Sequence, residues 1–150
     1  MNKPLFSIEA EQAVIGGLLI DPSVWGDALA ILKPEHFYRL DHQLIFAAIS
    51  AVSCGDDDRD PGSVAAKLFR DGKLLEVGGL AYLTTLANDT PSAAHTKVYA
   101  AIVRERAQLR RLVRGLGEIV DLVLSSEARA PRDVLEDARR LLSKIEVGIS

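Results

Sequence analysis

The sequence predicts an all-α protein, a compact helical bundle followed by a long antiparallel helical hairpin, and three observations favour this fold class. Leu, Val, Ile and Ala supply most of the 48% hydrophobic content, whereas aromatic residues make up only 5%. Leu and Ala are good helix formers, and runs of β-branched residues are short. Apolar residues recur at helical spacing along most of the chain. With 150 residues the chain can bury a sizeable core without disulfides or metals.

Composition also limits the classes of function. The net charge of −3 argues against a surface given over to nucleic acid. Cys54 is the only cysteine, so an intramolecular disulfide and a cysteine-rich metal site are excluded, and a reducing cytoplasm is expected. The N-terminal stretch turns acidic at Glu9, unlike a signal peptide. No apolar run approaches the roughly 20 residues that span a bilayer, so no membrane partner is expected.

Local signals predict where the first helices begin. Ser7 is a candidate N-cap, with Glu9 and Glu11 in the first turn, and predicts a helix from about Ile8 to Ile20. Gly16-Gly17 inside that helix indicates close approach of a neighbouring helix. Asp21-Pro22, a capping carboxylate followed by proline, predicts the start of a second helix that Pro34 ends.

The next elements follow the same kinds of signal. Phe37 and Tyr38 are expected to anchor a turn into the core, and Asp41 is expected to cap a third helix. Asp60-Pro61 predicts a fourth helix, and a small helix is expected from about Gly79 to Ala87. The acidic loop Cys54–Asp60 could suggest a metal site. It lacks the alternating ligand spacing and later glutamate of a calcium loop, so we interpret it as a solvated loop.

The C-terminal part is predicted to be a hairpin. Thr90-Pro91 is expected to start the longest helix, which runs to about Ser125, and the last helix is expected from about Pro131 to Val147. These predictions divide the chain into a bundle, residues 1–90, and a hairpin, residues 91–150. The apolar stripe of the long helix covers an arc of roughly 140°, wider than one partner helix needs, which indicates burial against more than one neighbour. The stripe contains Leu109, Leu112, Val113, Leu116, Ile119, Val120, Val123 and Leu124.

No catalytic constellation is found. The chain contains no G-x-x-x-x-G-K-[ST] sequence to cradle nucleotide phosphates, and no G-x-S-x-G or H-E-x-x-H motif. We therefore expect no enzyme activity and no metal or cofactor in this chain. Gly115-Leu116-Gly117 is interpreted as a packing or flexibility feature. His36, His42 and His95 lack metal-ligand spacing, and capping or surface hydrogen bonding is the preferred interpretation.

An arginine cluster on the long helix leaves two interpretations open. The cluster could bind phosphates, or it could form ion pairs with Glu105, Glu118 and acidic residues of a partner. The negative net charge and the absence of interleaved aromatic residues favour ion pairs, so little direct DNA binding is expected. The cluster consists of Arg104, Arg106, Arg110, Arg111 and Arg114.

Three stretches in order resemble the N-terminal domain of the bacterial replicative DNA helicase DnaB, and the resemblance covers nearly the whole chain. They are Ser7–Leu19, the segment from Phe37-Tyr38-Arg39 to Ile45-Phe46, and the segment from Gly78–Leu83 through Thr90–Ala94 to Ile102–Glu105. Around Asp60 the chain departs from the family pattern, because Arg59, Pro61 and Gly62 stand where aliphatic residues are usual. That departure puts in doubt how the loop before the fourth helix packs.

The resemblance implies a function in DNA replication. Family members join this domain to a motor that uses ATP and Mg²⁺, and six N-terminal domains form a collar whose hairpins pack in pairs. The collar receives the C-terminal domain of the primase DnaG, and a helicase loader is a possible further partner. Matching positions make Tyr82, Val113, Ile119 and Glu9 candidates for the primase interface.

The pairing of hairpins implied by the resemblance and the width of the apolar stripe give intersubunit candidates. Leu109, Leu112, Leu116 and Val123 are the predicted seam between hairpins. Because the sequence stops at Ser150, the chain is expected to be either a fragment of such a helicase or a domain-only protein. In the second case it would act as a regulator that binds or poisons the helicase collar.

Overall fold

The computed structural model describes residues 4–55 and 58–149, and these form an all-α structure in which the described residues contain seven α-helices. The helices are α1 (Ile8–Ile20), α2 (Trp25–Ile31), α3 (Leu40–Cys54), α4 (Pro61–Arg70), α5 (Gly79–Asp89), α6 (Thr96–Leu124) and α7 (Pro131–Ile149). Short 3-10 turns, Pro22–Val24 and Pro34–His36, precede α2 and α3. The predicted fold class is confirmed.

The fold divides into two compact units. One extends to Ala107 and is called the bundle unit, and the other starts at Gln108 and is called the hairpin unit. The division predicted at residues 90 and 91 therefore differs from the compact units by 17 residues. The first turns of α6 account for the difference, because Ala100 and Val103 are buried with the bundle core.

Helix α1 lies at the centre of the bundle unit and packs against α3 and α5. Its side chains are buried on nearly all sides, including Val14, Ile15 and Leu18. Gly16 and Gly17 allow neighbouring segments to approach α1 closely, as the two adjacent glycines predicted. A Cβ on Gly16 would overlap Thr90 Oγ1 and lie 2.6 Å from the Leu86 carbonyl oxygen, and a Cβ on Gly17 would overlap Thr96 Oγ1.

The predicted caps are confirmed at three positions and wrong at one. Ser7 Oγ accepts from the N–H of Ala10. Carboxylates cap the next starts in the same way, Asp21 before the 3-10 turn and Asp60 before α4. Asp41, in contrast, lies inside the first turn of α3, whose N-cap is Arg39. Its carboxylate accepts from the Arg39 guanidinium.

Two further local predictions are corrected. Phe37 is buried against Phe46, with ring centroids 5.0 Å apart, but Tyr38 is 51% exposed and stacks on Phe6 instead of anchoring the core. Helix α6 begins at Thr96 and not at Pro91. Thr90 Oγ1 donates to the Leu86 carbonyl oxygen, so this hydroxyl closes the end of α5.

The hairpin unit pairs α6 with α7 in antiparallel fashion. Gln108 Nε2 donates to the Ile149 carbonyl oxygen, 2.8 Å away. Further along α6, a Cβ on Gly115 would overlap the side chain of Ile145, so Gly115 permits the close packing predicted for it. Gly117, in contrast, has no neighbour within 4 Å of a built Cβ. Along α7, apolar residues that are buried or half-buried recur at helical spacing, namely Val134, Ala138, Leu141 and Ile145.

Within the described part of the chain, no single helix is both long and apolar enough to cross a membrane. The segments Ile8–Ile20 and Pro22–Ile31 are long and apolar enough to cross a membrane only when they are taken together, and the chain bends by 119° between them.

Candidate functional site

A groove in the bundle unit brings together two residues singled out in the sequence, Glu9 and Tyr82. It lies between α1, α5 and the segment that leads into α6, and it encloses about 300 Å³. Its floor and walls are largely apolar, with Ala13, Leu86 and Tyr99 among them. Polar groups are contributed by Glu9, Gln12, Tyr82, Thr85, Asp89, Thr90, Ser92, His95 and Thr96.

The hydroxyl of Tyr82 connects this groove to a buried polar network. Tyr82 Oη lies 2.7 Å from His42 Nε2 and 3.3 Å from Gln12 Nε2. The rings of Tyr82 and His42 are nearly parallel, with centroids 6.0 Å apart. The Arg39 guanidinium lies 5.5 Å from the centre of the Tyr82 ring. Tyr82 is therefore held by its hydroxyl and by its ring.

Glu11 forms the inner end of the network. Its carboxylate accepts from the backbone N–H groups of Tyr38, at 2.6 Å, and Arg39, at 3.3 Å. The same carboxylate lies 2.8 Å from His42 Nδ1. Glu11 is 1% exposed and His42 is 0% exposed. A buried carboxylate is tolerated only with such partners, so Glu11 ties α1 to the turn before α3 and to α3 itself.

The sequence interpretation missed this network. Glu11 is predicted only as a carboxylate in the first turn of a helix. The prediction of capping or surface hydrogen bonding for His42 is wrong, because its ring is completely buried. His42 lies 31 residues after Glu11 and 40 residues before Tyr82. Over such separations a local sequence pattern does not indicate that side chains are in contact. The other two histidines fit their predicted roles better. His36 Nδ1 accepts from the Lys33 N–H, and His95 is exposed, although it precedes α6.

The hairpin unit carries a second candidate surface, an exposed apolar stripe on α6. Its members are Val113, Leu116, Val120 and Val123, which are 44% to 55% exposed. At 100° per residue they fall within about 80° of the helix circumference. Helix α7 covers a different face, marked by Gly115 against Ile145. The stripe is therefore left open by the partner helix of its own hairpin.

The structure places the sequence-predicted residues on both surfaces. Of the four seam candidates, Leu116 and Val123 lie on the open stripe, whereas Leu109 and Leu112 are half-buried. Of the four primase candidates, Glu9 and Tyr82 line the groove. On α6, Val113 is exposed in the stripe and Ile119 is half-buried. These interface assignments stay predictions.

The arginine cluster is divided between the two compact units. Arg104 and Arg106 belong to the bundle unit, and the other three belong to the hairpin unit. Arg106 Nη1 donates to the carbonyl oxygen of Pro4, so its partner is the backbone rather than a carboxylate. Among the described residues no three His, Cys, Asp or Glu side chains cluster as metal ligands, and residues 56 and 57 lie outside that part.

The fold defines a class, all-helical proteins that combine a helical bundle with an antiparallel helical hairpin. The comparisons identify the family. Residues 3–105 match the family described as the DnaB-like helicase N terminal domain. The chain belongs to this family.

The relatives agree with this assignment. The chain is 46% identical to the replicative DNA helicase DnaB of Geobacillus stearothermophilus over 74% of this chain and 24% of that protein. It is 37% identical to the replicative DNA helicase DnaC of Bacillus subtilis over 95% of this chain and 31% of that protein. The chain thus spans less than a third of the length of these relatives.

Solved structures agree as well. The crystal structure of the N-terminal domain of DnaB helicase from Mycobacterium tuberculosis matches with a TM-score of 0.84 and 36% identity, over 95% of this chain and 99% of that one. A structure of a DnaB-like replicative helicase and its interactions with primase matches with a TM-score of 0.74 and 28% identity. That match covers 91% of this chain and 31% of the helicase chain.

Proposed function

We propose that this chain is the assembly and docking domain of a replicative DNA helicase. It associates with further copies of itself through the hairpin unit, as part of a hexameric collar, and it receives the C-terminal domain of the primase at the bundle unit. The domain itself performs no turnover, and ATP and Mg²⁺ act in a separate motor domain of the helicase.

The open stripe on α6 is the observation that carries the assembly part. Apolar side chains gain about 25 cal/mol per Å² when they leave water, and a helix that exposes a row of valines and leucines lacks that gain. Single exposed apolar residues are ordinary, but a contiguous row marks an interface. The same face on a second copy would supply a self-complementary partner, as in a two-fold dimer. We infer that Val113, Leu116, Val120 and Val123 form this interface.

Sedimentation equilibrium of the chain at tens of micromolar tests the assembly part. We expect self-association in the wild type. Leu116→Asp should shift the protein to monomer, because it would bury a carboxylate without a partner in the interface. Leu75→Asp is the matched control, since Leu75 is 90% exposed in the bundle unit and lies outside the stripe. A wild-type monomer, or a Leu116→Asp protein that associates like the wild type, would contradict the assembly proposal.

The groove supports the docking part. Glu9 and Tyr82, which the family resemblance points to, line one cavity although they are far apart in sequence. The class of partner comes from a related solved structure, that of a DnaB-like replicative helicase and its interactions with primase. Calorimetric titration of the chain with the C-terminal domain of the primase should show binding that Tyr82→Ala weakens. Binding that is absent in the wild type would overturn the docking proposal and leave the assembly proposal standing.

A further inference from the structure

We infer that Glu11 and His42 fix the Tyr82 hydroxyl as a hydrogen-bond acceptor in the groove, so that the groove selects a lysine or arginine side chain of the partner. Neither Glu11 nor His42 reaches the partner, and both act as positioning residues. The inference deepens the docking function proposed above and rests on it.

The direction of the hydrogen bonds follows from the inner end of the network. The Glu11 carboxylate already accepts from two backbone N–H groups, so toward His42 it acts as an acceptor as well. Nδ1 of His42, 2.8 Å away, therefore carries the hydrogen. With His42 taken as the neutral imidazole, Nε2 is then an acceptor and the Tyr82 hydroxyl donates its only proton to it. Gln12 Nε2 donates to the same hydroxyl oxygen.

This arrangement sets what Tyr82 offers to a partner. Its proton is donated to His42, so only a lone pair on the hydroxyl oxygen is available to a group in the groove. A partner group must therefore donate. A free tyrosine hydroxyl could rotate and serve as donor or acceptor, so the network converts an adaptable group into a selective one.

The rest of the groove favours the same partner chemistry. Glu9 and Asp89 are exposed carboxylates, and His95 is the remaining groove residue that can become positively charged. With His95 neutral the groove carries a formal charge of two negative units. Lysine and arginine combine an apolar stem, which suits Ala13 and Leu86, with donors and no acceptor. A carboxylate of the partner would be disfavoured by the acidic side chains and would find no free donor at Tyr82 Oη.

Nitrogen-15 NMR of the imidazole tests the internal part. We expect the signals of His42 to show the neutral form with the hydrogen on Nδ1. A hydrogen on Nε2, or a doubly protonated ring, would overturn the inference, since Tyr82 Oη would then be free to donate into the groove.

Calorimetric titration with the C-terminal domain of the primase tests the recognition part. Tyr82→Phe keeps the ring and removes the hydroxyl, and with it both the donor to His42 and the acceptor that faces the groove, and we expect affinity to fall about tenfold. Asp89→Asn should weaken binding by a smaller factor, more at low salt than at high salt. Glu35→Gln is the control, because Glu35 is an exposed acid of the bundle unit outside the groove.

The variant His42→Gln distinguishes a role of His42 in positioning the Tyr82 hydroxyl from a role in stabilising the fold. If His42 only stabilises the fold, the variant loses thermal stability but binds with wild-type affinity at a temperature at which it is folded. We expect instead a loss of affinity comparable with that of Tyr82→Phe. If His42→Gln does not fold, the affinity of Tyr82→Phe for the primase domain tests the inference by itself.

The outcomes distinguish this inference from the function on which it rests. Wild-type affinity in Tyr82→Phe would overturn the donor-selective groove and leave primase docking intact. Absence of any binding by the wild type would remove the docking proposal and this inference with it.

Discussion

Apolar residues serve different purposes in the two units of the chain. In the bundle unit they surround α1 and form one buried cluster that reaches from Ala10 to Val103. In the hairpin unit only Val134 and Ile145 are buried apolar residues among those described, and a row of valines and leucines on α6 stays open. The bundle unit therefore buries a core of its own, whereas the hairpin unit leaves a contiguous apolar stripe exposed.

Polar groups show the same contrast. Glu11 and His42 are buried and joined by hydrogen bonds in the bundle unit. In the hairpin unit the ion pairs of Asp137 with Arg129 and Arg140 lie at the surface. Buried networks are costly to break, whereas exposed ion pairs contribute little. Mutations of comparable chemistry should therefore have large effects in one unit and small effects in the other.

The largest effect is expected for Glu11→Ala. It leaves two backbone N–H groups and the His42 ring without their acceptor inside the bundle, and because each buried unsatisfied donor costs about 1–3 kcal/mol, a total loss of about 3 kcal/mol or more is expected. Urea denaturation should show a lower free energy of unfolding by this amount. Glu9→Ala on the same helix is the control. Glu9 is exposed, and its replacement should change the free energy of unfolding by no more than about 0.5 kcal/mol.

The next largest loss of stability is expected for Gly16→Ala. The added methyl group meets the Leu86 backbone carbonyl oxygen at 2.6 Å, which cannot move away without shifting α5, and overpacking of this kind costs about 1–3 kcal/mol. Gly115→Ala in the hairpin unit meets Cγ1 and Cδ1 of the Ile145 side chain and no backbone atom, and a side chain can change its rotamer. A thermal melt of both variants should show the larger decrease in Tm for Gly16→Ala, and the reverse order would contradict the contrast between the units.

A gain of stability is expected for Gly117→Ala. Gly117 lies inside α6, and a Cβ built there has no neighbour within 4 Å. Alanine is favoured over glycine in a helix interior by up to about 1 kcal/mol. Urea denaturation should show this increase in the free energy of unfolding. A loss would mean that the second copy packs closely on this position of α6.

The smallest effect is expected for Asp137→Asn. Hydrogen bonds and ion pairs with Arg129, and then with Arg140, lower the pKa of Asp137 below its ordinary value of 3.8. A carboxylate with a lowered pKa stabilises the folded state above that ordinary value, and the contribution is lost as the pH falls through the lowered pKa. Because Asp137 is exposed to solvent, the difference in Tm between variant and wild type should be small at neutral pH and vanish in acid. A difference that grows on acidification would contradict this assignment.

Local signals made much of the fold predictable. Ser7, Asp21 and Asp60 are caps whose acceptors lie within three residues of the N–H groups that they bind, so sequence alone identifies them. The hairpin was predictable for a similar reason, because the apolar stripe of α6 depends on the spacing of neighbouring residues. The start of α6 was misplaced because Thr90-Pro91 has the form of a helix start, while the Thr90 hydroxyl in fact binds backward to Leu86.

The groove was only partly predictable. Family resemblance singled out Glu9 and Tyr82, but nothing in the sequence indicates that Glu11, His42 and Tyr82 form one network. Their contacts depend on how α1, α3 and α5 pack. The open face of α6 shows a similar limit, since its apolar arc was visible in the sequence, but the part that α7 covers was set by the close approach at Gly115.

Hydrogen exchange measured at low and high protein concentration tests the central claim, that the bundle unit is complete by itself and the hairpin unit is completed by a second copy. We predict that amides of α6 from Val113 to Val123 exchange more slowly as the concentration rises. Amides of Ile45 to Ile49, in the bundle core, should exchange at the same rate at both concentrations. Exchange in α6 that does not depend on concentration would contradict the account.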